Sequence, residues 1–219
     1  MKAFAKVLPG DAIIRLQCVI IIVVAVVFSA LLGTRFFSVA NFQSIGSQLP
    51  ILGMLALGMG MTMLTGGINL SIIAGANACS LVMAAVIVSH PDNPLFLVLA
   101  LLAGAAVAVA IGTLNGALIA WVGVSPILAT LGTMTLISGL NILLSNGTVI
   151  SGFPAAIQYL GNATLAGIPV ALLLFILVAV LLWVLLEHTT LGRSLYLMGS
   201  NEQATRYSGV NTVRVQISV

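Results

Sequence analysis

Charge is what this sequence has least of. Its 219 residues carry seven Lys and Arg and four Asp and Glu, so 5% are charged and 61% hydrophobic. Mean hydropathy is +1.26. A soluble domain carries about a quarter charged residues, and eleven charges cannot clothe the water-facing surface of a chain this long. The net charge is +3 and the pI near 9.2, but there is no basic cluster, which excludes a nucleic-acid partner. Cysteine is nearly absent. Cys18 and Cys79 both fall inside apolar runs and form no CxxC pair, so each is expected to be a small buried hydrophobe outside any disulfide framework. There is no His/Glu metal spacing, no nucleophile–base arrangement and no phosphate loop. Those absences point away from an enzyme, a metal site or a cofactor, and toward a polytopic membrane protein embedded in lipid.

The few charges lie at the two ends. Five fall within the first thirty-five residues, five lie between Glu187 and Arg214, and Asp92 is the only one between Arg35 and Glu187. Taking about 20 apolar residues per membrane crossing, six spans are expected: Leu16–Thr34, Ser44–Thr65, Leu70–Ser89, Leu95–Val122, Pro126–Leu144 and Ile168–Leu186. An interfacial amphipathic segment, Arg35–Gln43, is expected after the first. The sixth is the most apolar and should face lipid. His90-Pro91-Asp92-Asn93-Pro94 reads as a turn, and Asn146-Gly147 and Gly161-Asn162 are turn signals in the loop before the sixth span. Lys2, Lys6 and Arg15 before an apolar run resemble a signal peptide, but Phe36, Phe37 and the later spans favour an uncleaved first helix. With the N-terminus inside, an even span count keeps six of seven basic residues on the cytoplasmic side, as the positive-inside rule asks.

Four patterns carry functional content. Gly104, Ala108, Gly112, Gly116 and Ala120 recur every four residues on the fourth span, a flat face for close helix packing with a translocation path as the lesser reading. Gly66 and Gly67 interrupt the apolar pattern, as a tight turn at the inner surface or, the lesser reading, as opened backbone that lines a cavity, and the neighbouring Asn69 and Ser71 are placed to cap the third helix. Asn77, Asn115 and Asn141, with Thr130, Thr133 and Thr135 nearby, are polar groups inside spans. They should face the bundle interior, chiefly as interhelical hydrogen bonds, with solute contact the alternative. No span holds a charged or histidine side chain well inside it, which disfavours an ion-coupled carrier. The polar tail, Glu187 to Arg214, should hold a helix over Asn201–Ser208, capped by Ser200 in a box with Gln203 and stopped at Gly209.

Three blocks together resemble the permease subunits of ribose-type ABC sugar importers, the group that includes ribose, xylose, galactose and autoinducer-2 uptake systems. LGMGMTMLTGGINLS (Leu57–Ser71) is similar to that family's GGIDLS signature. GTLNGALIAWVGVSPILATLGTMTLISGL (Gly112–Leu140) and LGRSLYLMGSNEQATRYSGV (Leu191–Val210) resemble two further blocks, the last being the loop that docks on the ATP-binding subunit. The resemblance implies an all-α polytopic membrane bundle of about six spans plus a short cytoplasmic coupling helix. It implies one transmembrane permease domain over 1–219, with 187–214 as the coupling loop. Gly199, Ser200, Asn201, Glu202, Ala204, Arg206 and Gly209 would couple to a cytoplasmic ABC ATPase. Gly66, Gly67, Asn69, Ser71, Asn77, Asn115, Thr130 and Asn141 are candidates for the translocation path. A periplasmic sugar-binding protein, a second permease copy and the lipid of a bacterial inner membrane complete the expected partners. Asn69 departs from the family's Asp, Ser138 from an Arg and Ser200 from a Gly, and family members continue with further spans beyond the coupling loop. An ion-coupled secondary carrier and a non-transporting structural subunit are the alternatives.

Overall fold

The computed structural model describes residues 10–90 and 93–219. Lys2 and Lys6, and the Pro91-Asp92 step of the expected turn, lie outside the described residues. Six helices are long and apolar enough to cross a membrane: α1 (Gly10–Leu32), α2 (Val39–Leu64), α3 (Ile72–Ser89), α4 (Pro94–Ala120), α5 (Pro126–Ser145) and α7 (Val170–His188). Between α5 and α7 lie a short helix α6 (Ala155–Asn162) and a two-stranded ribbon, β1 (Thr164–Leu165) and β2 (Ile168–Pro169), paired antiparallel. After α7 come α8 (Thr190–Ser200), α9 (Glu202–Tyr207) and α10 (Thr212–Ile217). The expected all-α membrane architecture is thus present, and each of the six spans falls where the apolar runs put it, to within a few residues.

The chain forms two compact units, Met1–Gly46 and Ser47–Val219. In the first, Phe28 stacks on Phe36 with ring centroids 6.4 Å apart, and Phe36 meets Phe37 edge-on. Ser38 Oγ accepts from the Asn41 amide at 3.2 Å, the geometry of a helix N-cap. That cap starts α2 at Val39, so no separate amphipathic segment follows the first span. Cys18 is exposed rather than buried.

In the second unit, α3 packs on both α4 and α5. Ala74, Ala78 and Ile137 form its buried core, with Val107, Ile111 and Met134 around them. Lipid tails are as apolar as these side chains, so the hydrophobic effect contributes little between such helices, and close packing and interhelical hydrogen bonds hold them together. Two glycines of the four-residue pattern serve that packing. Met83 of α3 sits 2.7 Å from where a Cβ on Gly104 would be, and the Ile217 Cα of α10 lies 2.9 Å from the same point on Gly116. Gly112, midway between them, has open space. A four-residue step advances about 40° around a helix of 3.6 residues per turn, so the stripe winds from α3 toward the tail and does not form one flat face.

Helix ends follow local chemistry. Asn93 Oδ1 accepts from the Leu95 amide at 3.0 Å with Pro94 in the first turn of α4. Asn146 (φ 50°) and Gly147 (φ 66°) close α5 in left-handed conformation, as the Asn-Gly signal asks. Gly161-Asn162 does not form the second turn. It ends α6, and the chain reverses instead at Ala166 (φ 51°) and Gly167 (φ 84°) of the ribbon. No described residue of α7 is buried, in keeping with a lipid-facing sixth span.

Candidate functional site

The tail gathers the ends of the second unit's helices at one place. α8 is amphipathic: Leu195 and Met198 are buried with Val215 of α10, against Met61, Leu186 and Leu191. Two glycines let α8 lie this close. A Cβ on Gly192 would strike the carbonyl of Leu186 at the end of α7, and one on Gly199 the carbonyl oxygen of Leu64 at the end of α2. Gly199 is therefore a packing residue. Ser200 does not cap the following helix. It is the last residue of α8, and its hydroxyl donates back to Leu197 O at 2.7 Å. Asn201 is the cap: its Oδ1 accepts from the Ala204 amide at 3.0 Å, and α9 begins one residue later than expected. A serine spent within α8 cannot also reach forward, whereas Asn201 has extended backbone (φ −163°) and a free side chain. Gly209 takes φ +85° and its amide donates to Arg206 O at 3.1 Å, which ends α9 as expected. α9 thus stands exposed on a firm mount, with Ala204 and Arg206 at the surface and Tyr207 92% exposed.

Beside this mount lies a cavity of about 520 Å³. It is lined by Gly66, Gly67, Asn69, Asn115 and Thr130, and also by Glu202 and Arg206 of α9. Gly66 (φ +82°) reverses the chain after α2, and amides of Thr65 and Gly67 donate to Thr62 O, so the Gly-Gly step is a helix-ending turn that leads into non-helical backbone. Thr130, 2% exposed, holds that backbone. Its Oγ1 accepts from the Leu70 amide at 3.1 Å and donates to Pro126 O at 2.7 Å.

Asn69 and Ser71 do not cap α3 in the expected way. Asn69 Oδ1 accepts from the Ser71 amide at 3.0 Å and the Ser71 hydroxyl at 2.7 Å, and Ser71, although at the cap position, makes no capping bond. Its Oγ instead accepts from Asn115 Nδ2 at 2.8 Å, which ties α4 to the start of α3. Ser71 is 1% exposed and Asn115 5%. The chain Asn115–Ser71–Asn69 is an interhelical polar network built wholly of uncharged groups.

Two candidates lie apart from the cavity. Asn141 Nδ2 donates to Ala74 O at 3.0 Å, fastening α5 to α3. Asn77 is exposed and does not face the interior. The α3 seam runs through Ala74 and Ala78, and at about 100° per residue Asn77 falls on its flank. Thr135 is likewise exposed, its hydroxyl returned to Leu131 O, while Thr133 is buried on Ala129 O. The polar cavity residues that the sequence reading did not single out include Thr62, Thr65, Thr212 and Gln216, whereas Gly112 belongs to the stripe whose lesser reading was a translocation path. Thr62 and Thr65 were legible in principle, because they flank the Gly-Gly step at helical spacing.

Six helices long and apolar enough to cross a membrane, with a cavity at one end lined by uncharged groups and by Glu202 and Arg206 of α9, define a multi-pass membrane protein. The family model described as the permease component of branched-chain amino acid transport systems matches residues 41–219, and the chain belongs to that family. It is 35% identical to the ribose import permease protein RbsC of Bacillus subtilis over 198 residues, covering 90% of this chain and 60% of that one. It is 34% identical to the autoinducer 2 import system permease protein LsrC of Shigella flexneri, covering 93% of this chain and 58% of the relative. With the D-allose transport system permease protein AlsC of Escherichia coli it shares 30% identity, covering 88% and 58%. The chain thus spans about three fifths of the length of these relatives. No solved structure matches it.

Proposed function

We propose that this chain is the membrane permease subunit of an ATP-driven importer for a monosaccharide or a similar small polar solute. The observation that carries the proposal is the mount: a capped, exposed helix, α9, carried between α8 and α10, which the close contacts of Gly192, Gly199 and Gly116 fix to the ends of α7, α2 and α4. A rigid surface feature fixed to several helix ends can pass a push from outside the bundle to its interior. The relatives named for ribose, autoinducer 2 and allose import support the solute class, and the uncharged spans fit a neutral cargo moved without an ion relay.

In this reading the chain is one permease domain in the inner membrane, N-terminus in the cytoplasm, and it performs no bond chemistry. A cytoplasmic ABC ATPase docks on α9, a periplasmic binding protein delivers solute, and a second permease copy completes the transmembrane unit. Gly66, Gly67, Asn69, Ser71, Asn115 and Thr130 border the path at its cytoplasmic end, Asn141 lies farther along the α3–α5 seam, and Asn77, exposed on the flank of α3, stands outside it. Tyr207 should anchor the ATPase. A buried interface tyrosine contributes about 2 kcal/mol, so Tyr207→Ala should weaken ATPase binding roughly thirty-fold. Co-purification of the ATP-binding subunit with the wild-type and variant chains measures this. Undiminished capture by Tyr207→Ala and Arg206→Glu would remove α9 as the docking element.

A further inference from the structure

We infer that the segment between α5 and α7 is an interfacial anchor, lying on the lipid headgroups at the end of α7 opposite α8 and α9, with Leu165, Ile168 and Tyr159 in contact with lipid. The inference rests on the membrane span of α7 and stands apart from the importer reading. α7 has 19 residues, Val170 to His188, so it is about 28 Å long at about 1.5 Å per residue. The hydrocarbon core is about 30 Å thick, and the headgroup layers add roughly 5–7 Å on each side. Centred on the bilayer, α7 puts Val170 at the edge of the core, and a tilt carries it deeper. Glu187 in the last turn needs water, which draws the helix toward its α8 end and Val170 deeper still. β2 runs directly into α7. Ile168 stands two residues ahead of Val170, a reach of at most about 7 Å at about 3.3 Å per residue, which keeps it within the headgroup layer.

The surface at that level is apolar and uncharged. The Val170 amide donates to Ala163 O at 2.9 Å and Pro169 is buried, so the ribbon is pinned to the start of α7. Leu165 and Ile168 stand opposite each other in its register, and directly opposed residues share one side of a ribbon. They are 65% and 45% exposed. A lone two-stranded hairpin is marginal in water, and an apolar pair bared on one makes it more so. α6, which packs on the same helix, adds Tyr159, 71% exposed, while Gln158 turns back to donate to Phe153 O at 2.9 Å. Tyrosine, with an apolar ring and a polar hydroxyl, is enriched at this depth of a membrane. A soluble partner is fixed by a polar rim and steered by charge. No full charge stands between Asp92 and Glu187, so this segment offers none, whereas the α8–α10 end carries Arg193, Glu202, Arg206 and Arg214. The uncharged surface selects lipid.

The test attaches a nitroxide at Leu165→Cys or Tyr159→Cys in a chain that also carries Cys18→Ala and Cys79→Ala. The chain sits in nanodiscs of phosphatidylethanolamine and phosphatidylglycerol. Collision with oxygen, which concentrates in lipid, is compared with collision with a water-soluble nickel chelate. Both positions are exposed, so neither label displaces a packed side chain. Tyr207→Cys on α9 supplies the wet reference and Leu177→Cys on α7 the lipid reference, both also exposed. The Leu165 and Tyr159 labels should lose most of the nickel collisions seen at Tyr207 and collide with oxygen nearly as the Leu177 label does. Nickel access at either position equal to that at Tyr207 would overturn the inference and leave the ribbon a water-facing platform for a soluble protein. Methyl NMR of the chain without cysteine replacements gives a second reading. The Leu165 and Ile168 methyls should broaden with a nitroxide carried on the lipid headgroup and stay sharp with the nickel chelate, and the reverse would overturn the anchor.

Discussion

Replacing Gly199 by alanine is expected to lift the tail off the bundle. The added Cβ would land on the carbonyl oxygen of Leu64, a backbone atom at the end of α2 that has no rotamer to escape through. Overpacking of this kind costs about 1–3 kcal/mol even where side chains can yield, and here relief requires α8 to shift as a body. Leu195 and Met198 would leave their buried positions with it, and α9, which follows α8 directly, would lose its mount. Gly60 supplies the control. It lies in the same helix as Leu64 with nothing within 4 Å of its Cβ position, so Gly60→Ala should be neutral or stabilise by about 0.5–1 kcal/mol. Limited proteolysis of the tail in nanodiscs reads the difference. Rapid cleavage near Asn201 in Gly199→Ala, against wild-type protection in Gly60→Ala, is the expected result, and equal protection of both would show that α8 tolerates the added methyl.

The second large effect is expected at Thr130. Thr130→Val keeps shape and β-branching but leaves the Leu70 amide, now bonded to Oγ1 at 3.1 Å, without its acceptor. An unsatisfied donor at a site this deeply buried costs about 1–3 kcal/mol, and water cannot easily replace the hydroxyl at a residue 2% exposed. The melting temperature in detergent should fall for Thr130→Val and stay near wild type for Thr130→Ser, which restores the oxygen. Equal melting of the two variants would mean that the Gly66–Leu70 backbone is held by something other than this bond.

Much of this architecture was legible before the structure. The six spans follow from apolar run length and the scarcity of charge, which the membrane enforces strictly. The tail was read only in part. Its polar composition hid the apolar positions Leu191, Leu195 and Met198, whose i, i+4, i+7 spacing marks an amphipathic helix, and α8 was missed. Ser200 and Asn201 are both good caps, and the choice between them depends on where α8 ends, which is a tertiary matter. The candidate site divided similarly. Asn69, Ser71, Asn115 and Thr130 converge because each sits beside a helix end at the same side of the bundle. Asn77 fails to join them because its position on α3 is set by the small-residue seam at Ala74 and Ala78, and polarity alone could not place it. The Gly-Gly step proved to be both of its two readings, a turn that ends α2 and a length of opened backbone bordering a cavity.

The central claim is that this chain couples ATP hydrolysis on a separate subunit to passage of a polar solute, through a helix mounted on the bundle's end. The most direct measurement is the ATPase rate of vesicles carrying the chain with its ATP-binding subunit, before and after addition of solute-loaded binding protein. Hydrolysis should rise with the loaded binding protein and fall back to the basal rate when α9 carries Arg206→Glu. An unchanged rate with the wild-type chain would contradict the account.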